Sequence, residues 1–396
     1  MLQKPQDVSM TGIYEFAILG CVTPEQSQNL TYTIGEMASD FDLNLEEEIK
    51  VYDANSVNQR DRSAAFSSVY FGGKPHVDLD VAESLFRESV PIIPVVTNLE
   101  EFSQLIPDFL QANNGYSINK NDQEMRELAT LMLECVGLLR RQRRIFVSYR
   151  RTESRDVALQ MHDLLIAKGF DVFLDTHDIR PGEPFQDALW HKLCDSDVLI
   201  MLDTPTYFES RWTREEIGRA RAKEIHVLRV VWPNHESDRM SDLAETVYLK
   251  TEDLEKDSGP LTLEKIDEIA LKVECIRSRS IAARYMSITG RLRADVEKIG
   301  ASFEGIGAHR AVAVRLLDDR KLWIYPVVGI PTAEILNDIA VKAQSNDGNE
   351  IPVLVYDDIG IRPSWSEHLQ WLDENINSVR GLKITHAAWA LAGWEV

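Results

Sequence analysis

Ile145-Phe-Val-Ser-Tyr149, Asp171-Val-Phe-Leu174, Val198-Leu-Ile-Met-Leu202 and His226-Val-Leu-Arg-Val-Val-Trp232 are four short apolar runs set at roughly even intervals between Arg144 and Trp232. Amphipathic stretches fill the gaps. Val157, Met161, Leu164 and Leu165 recur at helical spacing in the first, Leu189, Leu193 and Cys194 in the second, and Trp212–Lys223 makes the third. Strands alternating with helices predict a parallel sheet with helices on both faces, and Glu245-Thr-Val-Tyr-Leu249 supplies a fifth strand. Ligands of such sheets sit beyond the carboxyl ends of the strands. The polar residues of this stretch collect at those ends: Tyr149-Arg150-Arg151, the run Asp175–Phe185, Asp203-Thr204, and Trp212 to Glu216.

The chain of 396 residues is too long for one ordinary domain, and two or three are expected. Its 64 acidic residues outnumber 43 basic ones, and the net charge of −21 opposes attraction to phosphate backbones, so direct nucleic-acid binding is not expected. Cys21, Cys135, Cys194 and Cys275 lie far apart, which argues against a zinc site or a disulfide framework and fits a reducing compartment. The first residues lack a signal-peptide pattern and no apolar stretch is long enough to span a bilayer, so no membrane partner and a cytoplasmic location are expected.

Residues 1–120 read as a small α/β domain with no assigned role, sensing and assembly being the candidates. Tyr14–Val22 is a strand ended by Thr23-Pro24, and Ile49–Tyr52, Val81–Glu88 and Pro91–Thr97 follow as strand, helix and strand. Gly72-Gly-Lys74 lacks the glycine at Ser68 and the hydroxyl at Pro75 that a phosphate loop needs, and is read as a turn. Residues 121–143 form a connecting helix ending in Arg140, Arg141, Arg143 and Arg144; these cations suit a helix carboxyl terminus, or else an anion or interface patch. Residues 253–300 form a helical connector of two helices, Leu261–Cys275 and Ile281–Ile299. Residues 301–396 form a third α/β domain of unassigned role, with strands Ala311–Leu316, Leu322–Val328 and Ile351–Tyr356 and helices Thr332–Ala343 and Ser364–Asn377.

Taken together and in order, Ile145-Phe-Val-Ser-Tyr-Arg-Arg151, Gly169-Phe-Asp-Val-Phe-Leu-Asp175, Arg180-Pro-Gly182, Ser196-Asp-Val-Leu-Ile-Met-Leu202 and Ser210-Arg-Trp-Thr-Arg-Glu-Glu-Ile217 resemble the Toll/interleukin-1 receptor (TIR) domain in its bacterial form, over residues 144–252. The resemblance implies a flavodoxin-like, five-stranded parallel sheet. It also implies an enzyme that cleaves NAD⁺ at the nicotinamide–ribose bond, as hydrolase or cyclase, with NAD⁺ as substrate and no cofactor. Further implications are antiphage defence or signalling, activation by self-association through TIR–TIR contacts, and a trigger or effector protein acting on the flanking domains. Glu216 matches the family's catalytic glutamate; Thr213 stands where the family often has cysteine. Tyr149, Arg150 and Arg151 match the loop lining the nucleotide pocket, Trp212 lies one helical turn before Glu216, and Asp175–Phe185 matches the mobile loop that gates the pocket and meets a neighbouring copy.

The residue types suit that chemistry. Nicotinamide departs neutral from a cationic ring, leaving an oxocarbenium-like ribose that one carboxylate can stabilise. Arginines after the first strand would pair with pyrophosphate, and an aromatic at 212 could stack on a ring. Each residue also has a plainer reading. Glu216 could pair with Arg219 on an exposed face, Trp212 could be a core aromatic, and Asp203 could simply end a strand. Glu215 points about 100° away around the helix, which favours Glu216. His177 and His191 lack partners at metal-ligand spacing. Two other functions stay open: a non-catalytic adaptor acting through TIR–TIR contacts, and a nucleoside deoxyribosyltransferase-like enzyme.

Overall fold

The computed structural model describes residues 12–118, 122–139, 143–174, 185–209, 211–235, 244–255, 259–344 and 351–393. They fall into two compact units, one comprising the chain to Val136 with Glu304–Arg310, the other Gly137–Phe303 with the chain from Ala311.

The first unit is built on β1 (Tyr14–Gly20), β2 (Ile49–Tyr52), β3 (Ala65–Phe71), β4 (Ile92–Val96) and β5 (Tyr116–Ser117), with helices α1 (Pro24–Ser39), α2 (Leu79–Arg87), α3 (Phe102–Leu105) and α4 (Asp122–Cys135). Its sheet runs β2-β1-β3-β4-β5, all neighbours parallel. β1 and β3 are buried along their whole lengths, as near-continuous apolar runs in a doubly covered parallel sheet must be. Thr23 starts α1 through a reciprocal capping box with Gln26. Gly72-Gly73 is a packed turn: Gly72 N–H bonds Val95 O, and a Cβ on Gly73 would lie 2.5 Å from the Cys21 side chain. The helix expected to connect domains is α4, and it belongs to this unit, where the Met132 carbonyl accepts the Ser67 hydroxyl at 3.1 Å.

In the second unit β6 (Arg144–Ser148), α5 (Arg155–Ala167), β7 (Asp171–Leu174), α6 (Phe185–Asp195), β8 (Val198–Asp203), α7 (Arg211–Ala222), β9 (His226–Val231) and β10 (Glu245–Tyr248) follow in order. The sheet is parallel, in the order β10-β9-β8-β6-β7, and each strand falls where the apolar runs predict. Alternation along the strands splits the core in two. Ile145, Val147, Leu174, Ile200, Leu228 and Val230 pack on one face with Val157 and Met161 of α5. Phe146, Phe173, Leu199 and Met201 pack on the other with Leu189 and Leu193 of α6 and Ile217 and Ala220 of α7.

The two helices expected over residues 261–299 are one helix of 36 residues, α8 (Leu263–Lys298), about 54 Å long at 1.5 Å per residue. Neither glycine nor proline interrupts Ile276-Arg-Ser-Arg-Ser280, so nothing stops it there. Ile266, Ile269, Val273 and Ile276 complete the core on the α5 face. Its polar residues are buried too. Glu274 receives Arg143 at 2.6 Å and Arg277 at 3.3 Å, and Arg277 Nε reaches Asp197 at 3.1 Å. Arg143 and Arg144 are therefore neither helix-end cations nor a surface patch: Arg143 is buried against Glu274, and Arg144 pairs with Asp195 at 2.6 Å.

The chain then forms β11 (Ser302–Ile306), β12 (Val312–Arg315), β13 (Lys321–Val327), α9 (Ala333–Ala343), β14 (Val353–Tyr356), α10 (Pro363–Asn375), β15 (Arg380–Lys383) and α11 (Ala387–Ala392). β12 pairs antiparallel with β13, whereas β13, β14 and β15 are parallel neighbours. The strands and helices predicted in this lobe are all present, with ends shifted by a residue or two. Among the described residues no helix is long and apolar enough to cross a membrane.

Candidate functional site

Glu216 lies on the inward stripe of α7. Thr213, Glu216, Ile217 and Ala220 are buried, Glu215 is half-buried, and Glu216 is 1% exposed. The 3.6-residue period explains the separation of the two adjacent glutamates. The Glu216 carboxylate meets the carboxyl end of β6: Ser148 Oγ donates to Oε2 at 2.5 Å. Ser148 Oγ and Tyr207 Oη are also hydrogen-bonded, at 2.6 Å, and Thr213 Oγ1 donates to Tyr207 O at 3.0 Å. Ser148, Tyr207 and Glu216 thus form one buried polar cluster where the central strands end. Arg219 takes another course, its guanidinium lying over Trp190, 3.4 Å from the ring centroid.

The segment after β6 wraps toward the same place. Arg150 Nη1 donates to Thr206 O, and its other nitrogen lies 3.3 Å from Glu209. Glu153 accepts from Thr206 N at 3.3 Å. Burial works against ionisation of Glu153, yet this hydrogen bonding and the Arg150 charge outweigh it and hold its carboxyl below the ordinary range. Arg150 is therefore joined to the turn that carries Tyr207, while Arg151 is exposed. Tyr149 corrects the expectation of a shared crevice. It sits one residue past Ser148, so its ring joins the core on the opposite, α5 face of the sheet. Asp175 lies outside the described residues, as do the side chains of Phe185 and Trp212 and the whole of His177. Ser154 stands at the N-cap position of α5, and its hydroxyl donates back to Arg150 O at 3.2 Å instead of capping the helix.

A second polar group stands beside the first. Asp203, at the end of β8, is fully buried, accepts Arg229 Nε at 2.7 Å and lies 3.2 Å from His235 Nε2. Arg229 and Ser148 both pair in register with Met201, so they occupy one level of the sheet on neighbouring strands of β8. Neither was singled out in the sequence, although an arginine inside Val227-Leu-Arg-Val-Val231 is a clear signal: a buried strand tolerates a cation only with a carboxylate partner. His191 packs against Trp365 with ring centroids 4.7 Å apart. Among the described residues no cluster of histidine, cysteine, aspartate or glutamate could hold a metal.

Residues 145–261 match the TIR domain family. The 2' cyclic ADP-D-ribose synthase BtTIR of Bacteroides thetaiotaomicron is 22% identical over 88 residues, covering 22% of this chain and 31% of the relative, so the match spans under a third of that protein. The tagatose-6-phosphate ketose/aldose isomerase of Escherichia coli superposes over 71% of this chain and 83% of its own, at 13% identity and a TM-score of 0.20, too loose a likeness to carry an argument. The family match, on a parallel five-stranded sheet, places a TIR domain at residues 145–261 of this chain.

Proposed function

We propose that the TIR domain cleaves NAD⁺ at the nicotinamide–ribose bond, with Glu216 as the carboxylate that faces the developing ribosyl cation. The observation that carries this reading is the inward turn of Glu216 onto Ser148 at the carboxyl end of the sheet, where parallel α/β folds take their ligands. The name of the Bacteroides relative, a synthase of a cyclic ADP-ribose, supports an NAD-derived substrate. Bond cleavage releases neutral nicotinamide. The cation left behind is captured by water in hydrolysis, or by a hydroxyl of the same nucleotide in cyclisation. Arg150, held by Thr206 O and Glu209 beside the cluster, is the cation proposed to meet the pyrophosphate, and Asp175, Phe185 and Trp212 remain proposed pocket residues, as does exposed Arg151. Tyr149, in the core of the opposite face, is left out.

Glu216 is closed off in this conformation, so ribose reaches it only after the surrounding turn or loop moves. Closure of the resting chain fits activation by self-association, with the cell's interior as the site of action. The same burial favours one rival reading, a non-catalytic TIR adaptor in which Glu216 merely fastens α7 to β6. Incubation with NAD⁺ over a range of protein concentrations, with nicotinamide, ADP-ribose and cyclic products resolved by mass spectrometry, separates the two. Wild type is expected to release nicotinamide at a rate rising faster than protein concentration, and Glu216→Gln to lose at least about 100-fold of it, the usual cost of removing a preorganised charge-stabilising group. Equal rates in wild type and Glu216→Gln would sink the assignment, and no release at any concentration would favour the adaptor.

A further inference from the structure

The carboxyl edge of the parallel strands is where an α/β lobe ordinarily receives its ligand. In the C-terminal lobe that edge is made by the residues after β13 and β14, and the TIR domain already fills it. Arg144 Nη2 donates to Val328 O at 3.2 Å, and Ile330 N–H donates to Asp195 at 2.9 Å. Cys194 Sγ donates to Gly360 O at 3.4 Å. Lys223 Nζ donates to Asp357 O at 2.6 Å and lies 3.9 Å from its carboxylate. The glycines mark the closest approach. Gly329 has φ +110° and Gly360 φ +76°; a Cβ on either would sit 2.6 Å from Arg144 Nη2 or Cys194 Sγ respectively.

Apart from Arg144, which opens β6, these contacts fall on the carboxyl ends of α6 and α7. Cys194 and Asp195 end α6, and Lys223 directly follows α7, the helix of Glu216. The Lys223 side chain is only 3% exposed, and burial pulls its pKa down while Asp357 opposes this. An ammonium in that position is costly unless held by partners of fixed geometry. At its other end α7 is tied by Thr213 to Tyr207. Glu216 lies between the two ties, seven residues and about 10 Å along the axis from Lys223.

We propose that Lys223 is a positioning residue, through which the docked C-terminal lobe sets the placement of α7 and hence of Glu216. A displacement of about 1 Å at a reacting group can cost roughly 100-fold in rate, so a short helix held at both ends needs its rear tie. The consequence for turnover rests on the NAD⁺-cleaving reading; the consequence for α7 does not.

The test uses the full chain with Lys223→Met, which keeps the buried stem and removes the charge, and Lys223→Arg, which restores it. Hydrogen–deuterium exchange is followed on peptides covering Arg214–Ala222, beside steady-state NAD⁺ turnover of the folded fraction. Lys223→Met is expected to speed exchange in α7 about tenfold and lower kcat about tenfold with KM little changed, and Lys223→Arg to recover most of both. Should Lys223→Met fail to fold, Gly360→Ala loosens the dock from the lobe's side and is expected to speed α7 exchange likewise. Unchanged α7 exchange in the folded variant overturns the proposal, as does a kcat that rises. If wild type releases no nicotinamide, the NAD⁺ reading falls alone and the exchange measurement still decides for or against Lys223.

Discussion

Ser148 donates to Glu216 and touches Tyr207, so its hydroxyl both steadies the carboxylate and links it to the turn below. A hydrogen bond to a charged group is worth about 1.5–3 kcal/mol, and 1.4 kcal/mol is tenfold in rate. Ser148→Ala is therefore expected to lower nicotinamide release about tenfold or more, measured at saturating NAD⁺ on protein whose unfolding midpoint is checked in parallel. An unchanged rate would leave Ser148 as packing only. Glu216 stood out in the sequence because Trp212-Thr-Arg-Glu-Glu-Ile217 resembles the TIR motif, but Ser148 did not, because a serine in a strand gives no hint of what faces it. Asp203 read as a strand end, and only the folded sheet brings it Arg229 and His235 as partners.

At the scale of single elements, β1 and α8 both bury ionisable side chains. Burial pushes the Glu15 carboxyl in β1 up to about 7 from its ordinary 4.5, against the hydrogen bonds from Tyr52 and Asp61. The folded state thus holds this proton more tightly than the unfolded chain does. The contribution to stability is complete below pH 4.5 and is lost as pH rises to about 7, on the order of 3 kcal/mol in all. Urea unfolding of wild type across this window is expected to fall more steeply with pH than that of Glu15→Gln; parallel curves would contradict the buried acid. In α8, Glu274 lies between Arg143 and Arg277, all three buried. Glu274→Ala leaves two buried cations short of an acceptor and is expected to cost about 3–5 kcal/mol in urea unfolding, whereas a loss below about 1 kcal/mol would mean water replaces the carboxylate.

For the whole molecule, the second unit makes the TIR domain dependent on residues beyond its own strands. Leu261, Ile266, Ile269, Val273 and Ile276 belong to the core of the α5 face. Burying such side chains contributes about 1.5–3 kcal/mol each, together on the order of a domain's entire stability of 5–15 kcal/mol. A fragment of residues 144–252 is accordingly expected to aggregate or lose cooperative unfolding, while residues 137–396 carry a complete α5-face core and are expected to unfold cooperatively. A monodisperse, cooperatively unfolding 144–252 fragment would refute the claim.

The sequence by itself determined the five strands of the TIR sheet and their parallel sense, and the helical period set Glu216 and Glu215 on different sides of α7, because apolar period and helical angle are local properties of the chain. Tertiary structure alone decided that Tyr149 turns to the other face, that α8 is one helix of the core, and that buried Arg143 and Lys223 and half-buried Arg144 act as fasteners. The reason is physical. A charged side chain looks the same in sequence whether water or a distant carboxylate solvates it, and Glu274, Asp195 and Asp357 come to their partners only once the chain has folded back on itself.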